Sequence, residues 1–406
     1  MKVHAVRVAL FAAVSVATLG LAFAQDPAPT AAAPAPAALS EQLPVPDAPA
    51  IIGTAWALMD YATGQVLAGD NVDERVEPAS ITKVMTSYVI AAEMKAGKLQ
   101  ADDDVMMSVN AWRSGGAGTD GSYSGFEVNK TAKLIEMVKG MVVQSGNDAA
   151  IALAEHVAGS EDAFAALMNA YAARIGMENT HFVNSHGLSA PEHYSTARDL
   201  ALLGRALARD FPDHYAYNSI KEFKVGRMDA QLNRNVLLWR DQSVDGIKTG
   251  HHSGAGYCLM ASAKRGDQRL ISVVMGSTSE SQRATDSQAL LNWGFRFFET
   301  HELYAAGEPV ATQKIWKGQA NEIGLGVAQP LLVSMQRGQY AKLQPSMDVP
   351  RTLVAPLERG QAVGMVRVML DGKLVAEAPL VALEEVPEAG FFKRLWHELL
   401  MWWQSV

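Results

Sequence analysis

The chain has 406 residues, 49% of them hydrophobic and 19% charged, with 35 Lys and Arg against 43 Asp and Glu for a formal net charge of −8. That length and composition exclude a disordered chain and accommodate one large catalytic domain with a smaller companion, and the acidic balance gives no reason to expect nucleic acid as a partner. The single cysteine, Cys258, excludes an internal disulfide and the cysteine clusters of structural zinc sites.

The first element, residues 1–24, reads as a signal peptide. Lys2 and Arg7 give it a basic start, an apolar run follows over 8–24, and Ala22-Phe23-Ala24 has the small-residue pattern of a cleavage site. Export into an oxidising compartment with one thiol fits a bacterial periplasmic protein. Residues 25–49 are rich in Ala and Pro and read as a flexible linker.

Order begins near Ile51. Residues 55–59 read as a strand, Thr63-Gly64 as a turn and 65–68 as the returning strand of a hairpin. From Ser80 the pattern turns helical, with Ile81, Val84, Met85, Tyr88, Val89 and Ala92 on one face. Further helices are expected over 131–143, 149–157, 161–175 and 196–208. Strands return over 246–251, 257–263 and 270–275, and a helix over 282–298 closes the unit. Strands at both ends with helices between them suggest one mixed sheet covered by helices. Its late strands should be antiparallel, because their connections are short.

Residues 300–386 carry short apolar runs punctuated by Gly338, Gly360 and Asp371-Gly372, an all-β signature. The tail is different again. Phe391, Phe392, Leu395, Trp396, Leu399, Leu400 and Trp403 repeat at helical spacing, with Lys393, Arg394, His397, Glu398 and Gln404 between them. The segment is too short to span a bilayer, which needs about 20 apolar residues. Its aromatic and basic pattern is that of a helix lying in a membrane interface.

Three short motifs carry the chemistry. Ser80-Ile81-Thr82-Lys83 follows Pro78-Ala79, which suits a helix start. A three-residue spacing puts hydroxyl and amine on one face. A serine needs a base within reach, and a lysine serves when burial and nearby positive charge disfavour its ammonium form. Ser145-Gly146-Asn147 falls between two expected helices. Its hydroxyl could relay a proton and its amide could hold the lysine. Lys248-Thr249-Gly250 with His251 lies on an expected strand, along which a peptide could pair by strand addition. Lys248 and Thr249 would meet a carboxylate, Gly250 would let the substrate approach, and the His251 and Ser80 N–H groups could form an oxyanion hole. Each motif alone is ordinary; their order is not.

Together with 78–89, His186-Gly187-Leu188, Asn233-Arg234-Asn235 and 293–300, these motifs resemble the low-molecular-mass penicillin-binding proteins. More narrowly, they resemble the serine-type D-alanyl-D-alanine carboxypeptidases of the peptidase S11 family. The resemblance implies an α+β fold: a β-lactamase-like transpeptidase domain with an antiparallel sheet covered by helices (50–299), a small β-sandwich-like domain (300–386) and an amphipathic membrane-anchor helix (387–406). It implies Ser80 as nucleophile, Lys83 as general base and Ser145 as proton relay. Asn147, Lys248, Thr249, Gly250, His251 and Arg283 would bind substrate, Arg283 being placed by the Trp293-Gly294-Phe295 block that follows it. The implied partners are the peptidoglycan pentapeptide, β-lactam antibiotics and the inner membrane, with no cofactor and no metal. The middle residue of the second motif departs from the Ser-Asp-Asn form, and with the missing deacylating glutamate this argues against a class A β-lactamase. A D,D-endopeptidase, a weak β-lactamase and a non-catalytic wall-binding protein stay open as alternatives.

His181, His186 and His193 lie close together, but their spacing matches none of the common zinc patterns.

Overall fold

A strand buried on both faces should read as a near-continuous apolar run, and three runs in this chain do. In the computed structural model, which describes residues 45–119 and 121–405, they form the centre of one sheet. The signal peptide expected over 1–24 and residues 25–44 of the 25–49 linker lie outside the described residues.

The sheet comprises β1 (Ala55–Asp60) and β2 (Val66–Asp70) from the start of the unit and β7 (Val244–His252), β8 (Gly256–Arg265) and β9 (Gln268–Ser277) from its end, in the order β2-β1-β9-β8-β7. Every pairing is antiparallel, so the sheet is not the mixed one that element order alone suggested. Side chains alternate between two cores. Ala57, Met59, Met260, Ile271 and Val273 point to one, while Leu58, Leu259, Leu270 and Val274 point to the other. Each fully buried Leu, Ile or Met side chain contributes about 1.5–3 kcal/mol by leaving water.

Between the early and late strands the chain forms α1 (Thr82–Lys95), β3 (Asp104–Met106), α2 (Val109–Gly115), β4 (Thr131–Lys133), α3 (Leu134–Val143), α4 (Asn147–Ala158), α5 (Glu161–Ile175) and α6 (Ala197–Asp210). The short elements α7 (Pro212–Tyr215), β5 (Glu222–Phe223), β6 (Gln231–Leu232) and α8 (Leu237–Arg240) lead to β7. Helix α1 is buried along most of its length. Its Val84, Met85 and Val89 join the sheet-side core, and Ile90 joins a second cluster built with α3 and α4. α9 (Glu280–Phe297) covers the opposite face through Ala284, Leu290, Leu291 and Phe295.

One helix expectation needs correction. Residues 131–133 are not the first turn of α3 but the strand β4, paired with β3 through Val105 and Ala132. The Thr-Ala-Lys run has no strong preference of its own, and a partner some 27 residues away settles it.

The second unit is all β. α9 leads directly into β10 (Phe298–Tyr304), which pairs with β13 (Leu331–Gln336). β11 (Ala311–Trp316), β12 (Glu322–Val327), β14 (Gln344–Asp348), β15 (Leu353–Val354), β16 (Ala362–Leu370) and β17 (Lys373–Ala382) form a six-stranded sheet ordered β14-β16-β17-β12-β11-β15. Val333 and Met335 of β13 pack on Val366, Val368 and Leu380 of that sheet. The chain ends in α10 (Phe391–Ser405).

Candidate active site

The three motifs, widely separated in the chain, meet at one end of the sheet. A cleft of about 940 Å³ is lined by Ser80, Ser145, Asn147, Thr249, Gly250, His251 and Arg283, among others. Lys83 and Lys248 lie behind its wall, 1% and 4% exposed.

Ser80 sits in a 3-10 turn (Ala79–Ile81) that runs straight into α1, so it stands at a helix N-terminus. The preceding Ala79 has φ 47°, a left-handed conformation that costs a non-glycine residue about 1–3 kcal/mol and needs support from its surroundings. One turn along, Lys83 Nζ lies 3.0 Å from Ser80 Oγ, 2.7 Å from Asn147 Oδ1 and 2.6 Å from the carbonyl oxygen of His186. A neutral amine has two N–H bonds and one lone pair. The amide and peptide oxygens can only accept, so they take the two N–H bonds. Ser80 is the one partner of the three that can donate, and its hydroxyl hydrogen meets the lone pair. Burial first, and the Arg234 charge second, pull the Lys83 pKa down to about 7. About half of the amine is then unprotonated at neutral pH, against roughly one part in three thousand for an ordinary lysine.

Ser145 and Asn147 enter from the link between α3 and α4. Ser145 is in the left-handed region at φ 63° and lines the cleft. Asn147 is the first residue of α4. The glycine between them has a steric cause. A β-carbon at Gly146 would lie 2.7 Å from Ser124 Cβ and 2.8 Å from Asp148 Oδ1. Asp148, buried beside it, accepts from the Ser124 N–H and Oγ–H, each at 2.8 Å, and so ties the 122–124 loop to the start of α4. Burial raises the Asp148 pKa.

The strand bearing Lys248-Thr249-Gly250 is β7, an edge strand of the sheet. Gly250 also has a packing reason, beside its place in the cleft lining. Its missing β-carbon would lie 3.0 Å from Ala79 Cβ, 3.1 Å from Pro78 O and 3.2 Å from Ser80 N, so the absent side chain lets the strand fit against the nucleophile's turn. Lys248 Nζ donates to the Thr249 carbonyl at 3.0 Å. Arg283 donates to the Gly250 carbonyl at 3.1 Å, and its guanidinium lies over the Tyr257 ring. The imidazole of His251 is exposed and stacks on the same tyrosine, 4.0 Å between ring centres.

Lys83, Lys248, Arg234 and Arg283 all lose basicity, in each case through burial first. Repulsion among these cations adds to the effect for the two lysines and Arg283. Such a cluster in a cleft is a site for an anion, and a bound carboxylate would relieve the repulsion.

The site residues expected from sequence therefore lie at or just behind one cleft. Sequence reasoning missed three groups. The His186 carbonyl holds the base, but a main-chain oxygen has no residue signature. Arg234 lines the cleft and donates to Ser122 Oγ at 2.5 Å; the flanking asparagines of Asn233-Arg234-Asn235 were its only signal. Asp148 could have been suspected from its place beside Asn147. His193 and His186, weighed as metal ligands, have structural partners: His193 Nε2 lies 2.9 Å from Thr82 Oγ1, and His186 Nδ1 accepts from the Leu188 N–H.

Known proteins share this arrangement of domains. The profile of the peptidase S11 family, described as D-alanyl-D-alanine carboxypeptidase, matches residues 43–279, and that of the penicillin-binding protein 5 C-terminal domain matches 298–388. The chain is 45% identical over 370 residues to D-alanyl-D-alanine carboxypeptidase DacC of Escherichia coli (strain K12), covering 90% of this chain and 92% of that one. It is 34% identical over 344 residues to DacF of Bacillus subtilis (strain 168), covering 82% and 86%. Penicillin-binding protein 5 from Haemophilus influenzae has a similar crystal structure, with a TM-score of 0.80 at 39% identity over 84% of this chain and 99% of that chain.

Proposed function

This chain belongs to the peptidase S11 family of D-alanyl-D-alanine carboxypeptidases, and from that premise we propose how its residues divide the reaction. The enzyme is a serine-type carboxypeptidase with a penicillin-binding protein fold. The contact between Lys83 Nζ and Ser80 Oγ, with both other amine positions filled by acceptors, carries the reading.

The terminal D-Ala–D-Ala of a pentapeptide stem lies along the outer edge of β7, its carboxylate among Lys248, Thr249, Arg283 and Arg234. Ser80 Oγ attacks the penultimate carbonyl carbon as its proton passes to Lys83 Nζ. The Ser80 and His251 N–H groups hold the oxyanion; losing one such donor typically costs about 2.7–4 kcal/mol of transition-state stabilisation. The C–N bond breaks as the leaving amine takes a proton through Ser145. Free D-alanine departs, and an ester on Ser80 remains. Water, deprotonated by Lys83, hydrolyses that ester and frees the serine. A β-lactam amide enters the same first step, but its leaving amine stays tethered.

The protein is exported to the periplasm by residues 1–24 and held at the outer face of the inner membrane by α10. Two observations support the second point. Phe392 and Trp403 are 85% and 75% exposed, and Phe391, Leu395, Trp396, Leu399 and Trp402 are exposed with them. The polar side is occupied instead: Lys317 Nζ pairs with Glu398 at 2.7 Å, and Lys393 Nζ donates to the Gln319 carbonyl at 2.9 Å. An aromatic face turned outward on a helix of this length fits an interfacial site. Among the described residues, no helix is long and apolar enough to cross a membrane.

Mass spectrometry of the full chain with a pentapeptide stem, and then with a fluorescent penicillin, tests the assignment. The expected results are loss of one D-alanine from the stem, an adduct on Ser80, and neither with Ser80→Ala. An adduct that persists in that variant, or cleavage confined to a cross-linked dimer, overturns it.

A further inference from the structure

Lys83 has three partners, and two belong to motifs. The third, the His186 carbonyl, is the closest at 2.6 Å. As a main-chain atom, it is only as well placed as the turn that carries it. Residues 184–188 form that turn. Gly187 has φ 88°, and a β-carbon there would lie 1.8 Å from the Ala79 carbonyl oxygen. The turn is therefore pressed on the backbone just before the nucleophile, and it has no room to drift inward.

Outward drift is opposed by hydrogen bonds. Inside the turn, Asn184 Oδ1 accepts from the Gly187 N–H at 2.7 Å, and Asn184 Nδ2 donates to the Leu188 carbonyl at 3.0 Å. Thr86, on α1, donates to the Ser185 carbonyl at 2.6 Å. The link to the rest of the helical layer is Glu161, the first residue of α5. Its Oε1 accepts from the Ser185 N–H at 2.9 Å and from the Ser185 hydroxyl at 2.6 Å. The same oxygen lies 3.5 Å from His186 Nε2. Because His186 Nδ1 accepts from the Leu188 N–H, the neutral ring carries its proton on Nε2, facing the carboxylate.

We infer that Glu161 is a positioning residue for the Lys83 base: it fixes the turn whose His186 carbonyl holds the amine, and it places a carboxylate near that amine. This rests on the proposed role of Lys83 as base. The groups facing Lys83 are Asp148 of α4, Glu161 of α5, His186 of the turn, His193 of the segment before α6, Lys248 of β7 and Arg234 of the segment before α8. Asp148 and Glu161 favour the ammonium form, whereas burial and Arg234 oppose it. Burial keeps His186 neutral, with its pKa near 3. Removing the Glu161 charge therefore lets the free amine persist to lower pH.

The test compares full-length wild type, Glu161→Gln, Glu161→Ala and Ser185→Ala. The readout is the second-order rate of acylation by a fluorescent penicillin across the acid limb of the pH profile. Glu161→Gln keeps an oxygen for Ser185 but loses the charge; its acid limb moves to lower pH, with a plateau within about threefold of wild type. Glu161→Ala shows the same movement and a plateau at least about tenfold lower, since a displacement of about 1 Å can cost 100-fold. Ser185→Ala lowers the plateau and leaves the acid limb in place. An acid limb unmoved in both Glu161 variants overturns the inference, as does an alanine variant with the wild-type plateau. If Glu161→Ala does not fold, the other two variants decide. Wild-type protein that is not labelled on Ser80 would sink the nucleophile assignment instead, so the two failures are distinguishable.

Discussion

Replacing Gly146 with alanine sets two opposing effects against each other. The backbone there has φ −57° and ψ 118°, a conformation open to any residue. On that ground alone, Gly→Ala should stabilise by about 0.4–1 kcal/mol, because it restricts the unfolded chain. The packing opposes it. The new methyl would sit 2.7 Å from Ser124 Cβ, 2.8 Å from Asp148 Oδ1 and 2.9 Å from Ser124 N. Overpacking a closed site costs about 1–3 kcal/mol. Two of the atoms that must yield, Ser124 N and Asp148 Oδ1, make one of the two 2.8 Å hydrogen bonds of Asp148, and the same two residues make the other, each worth about 1.5–3 kcal/mol because the acceptor is charged. Losing one of them with modest overpacking outweighs the backbone gain and leaves a net loss of about 2–4 kcal/mol. For a domain of this size, that lowers the melting temperature by about 4–16 °C. Acylation should fall as well, since Ser145 and Asn147 flank the substituted position. Calorimetry of the full chain and a penicillin-binding rate measure both. A variant that melts at or above the wild-type temperature and acylates at the wild-type rate would show that the 122–124 loop yields freely, and the steric reading of this motif would be wrong.

Two further outcomes are expected. Acylation of the wild type should rise with pH through about 7 and then level, because the Lys83 pKa is depressed to that value by burial and Arg234 and only the free amine can take the Ser80 proton; a profile flat from about pH 5 to 9 would remove Lys83 as the base. A chain ended after Ala389 should be recovered in the soluble periplasmic fraction, whereas the full chain sediments with membranes; a truncated chain that still sediments would refute the anchoring role of α10.

Sequence alone determined the parts whose signals are local. Ser80 and Lys83 are three residues apart on one helix, so their proximity follows from helical pitch. The near-continuous apolar runs of β8 and β9, the aromatic periodicity of α10 and the change to short apolar runs punctuated by glycine after 300 are equally local. Tertiary structure decided the rest. Asn147 and the His186 carbonyl come to Lys83 from 64 and 103 residues away, and the second is a backbone atom with no residue type to betray it. The strand at 131–133 exists only because 104–106 lies beside it. Gly250 is read from sequence as an approach for substrate; that it also packs on the turn that carries Ser80 could not be read there. Spacing along a chain fixes contacts within one element, while contacts between elements depend on how the whole core closes.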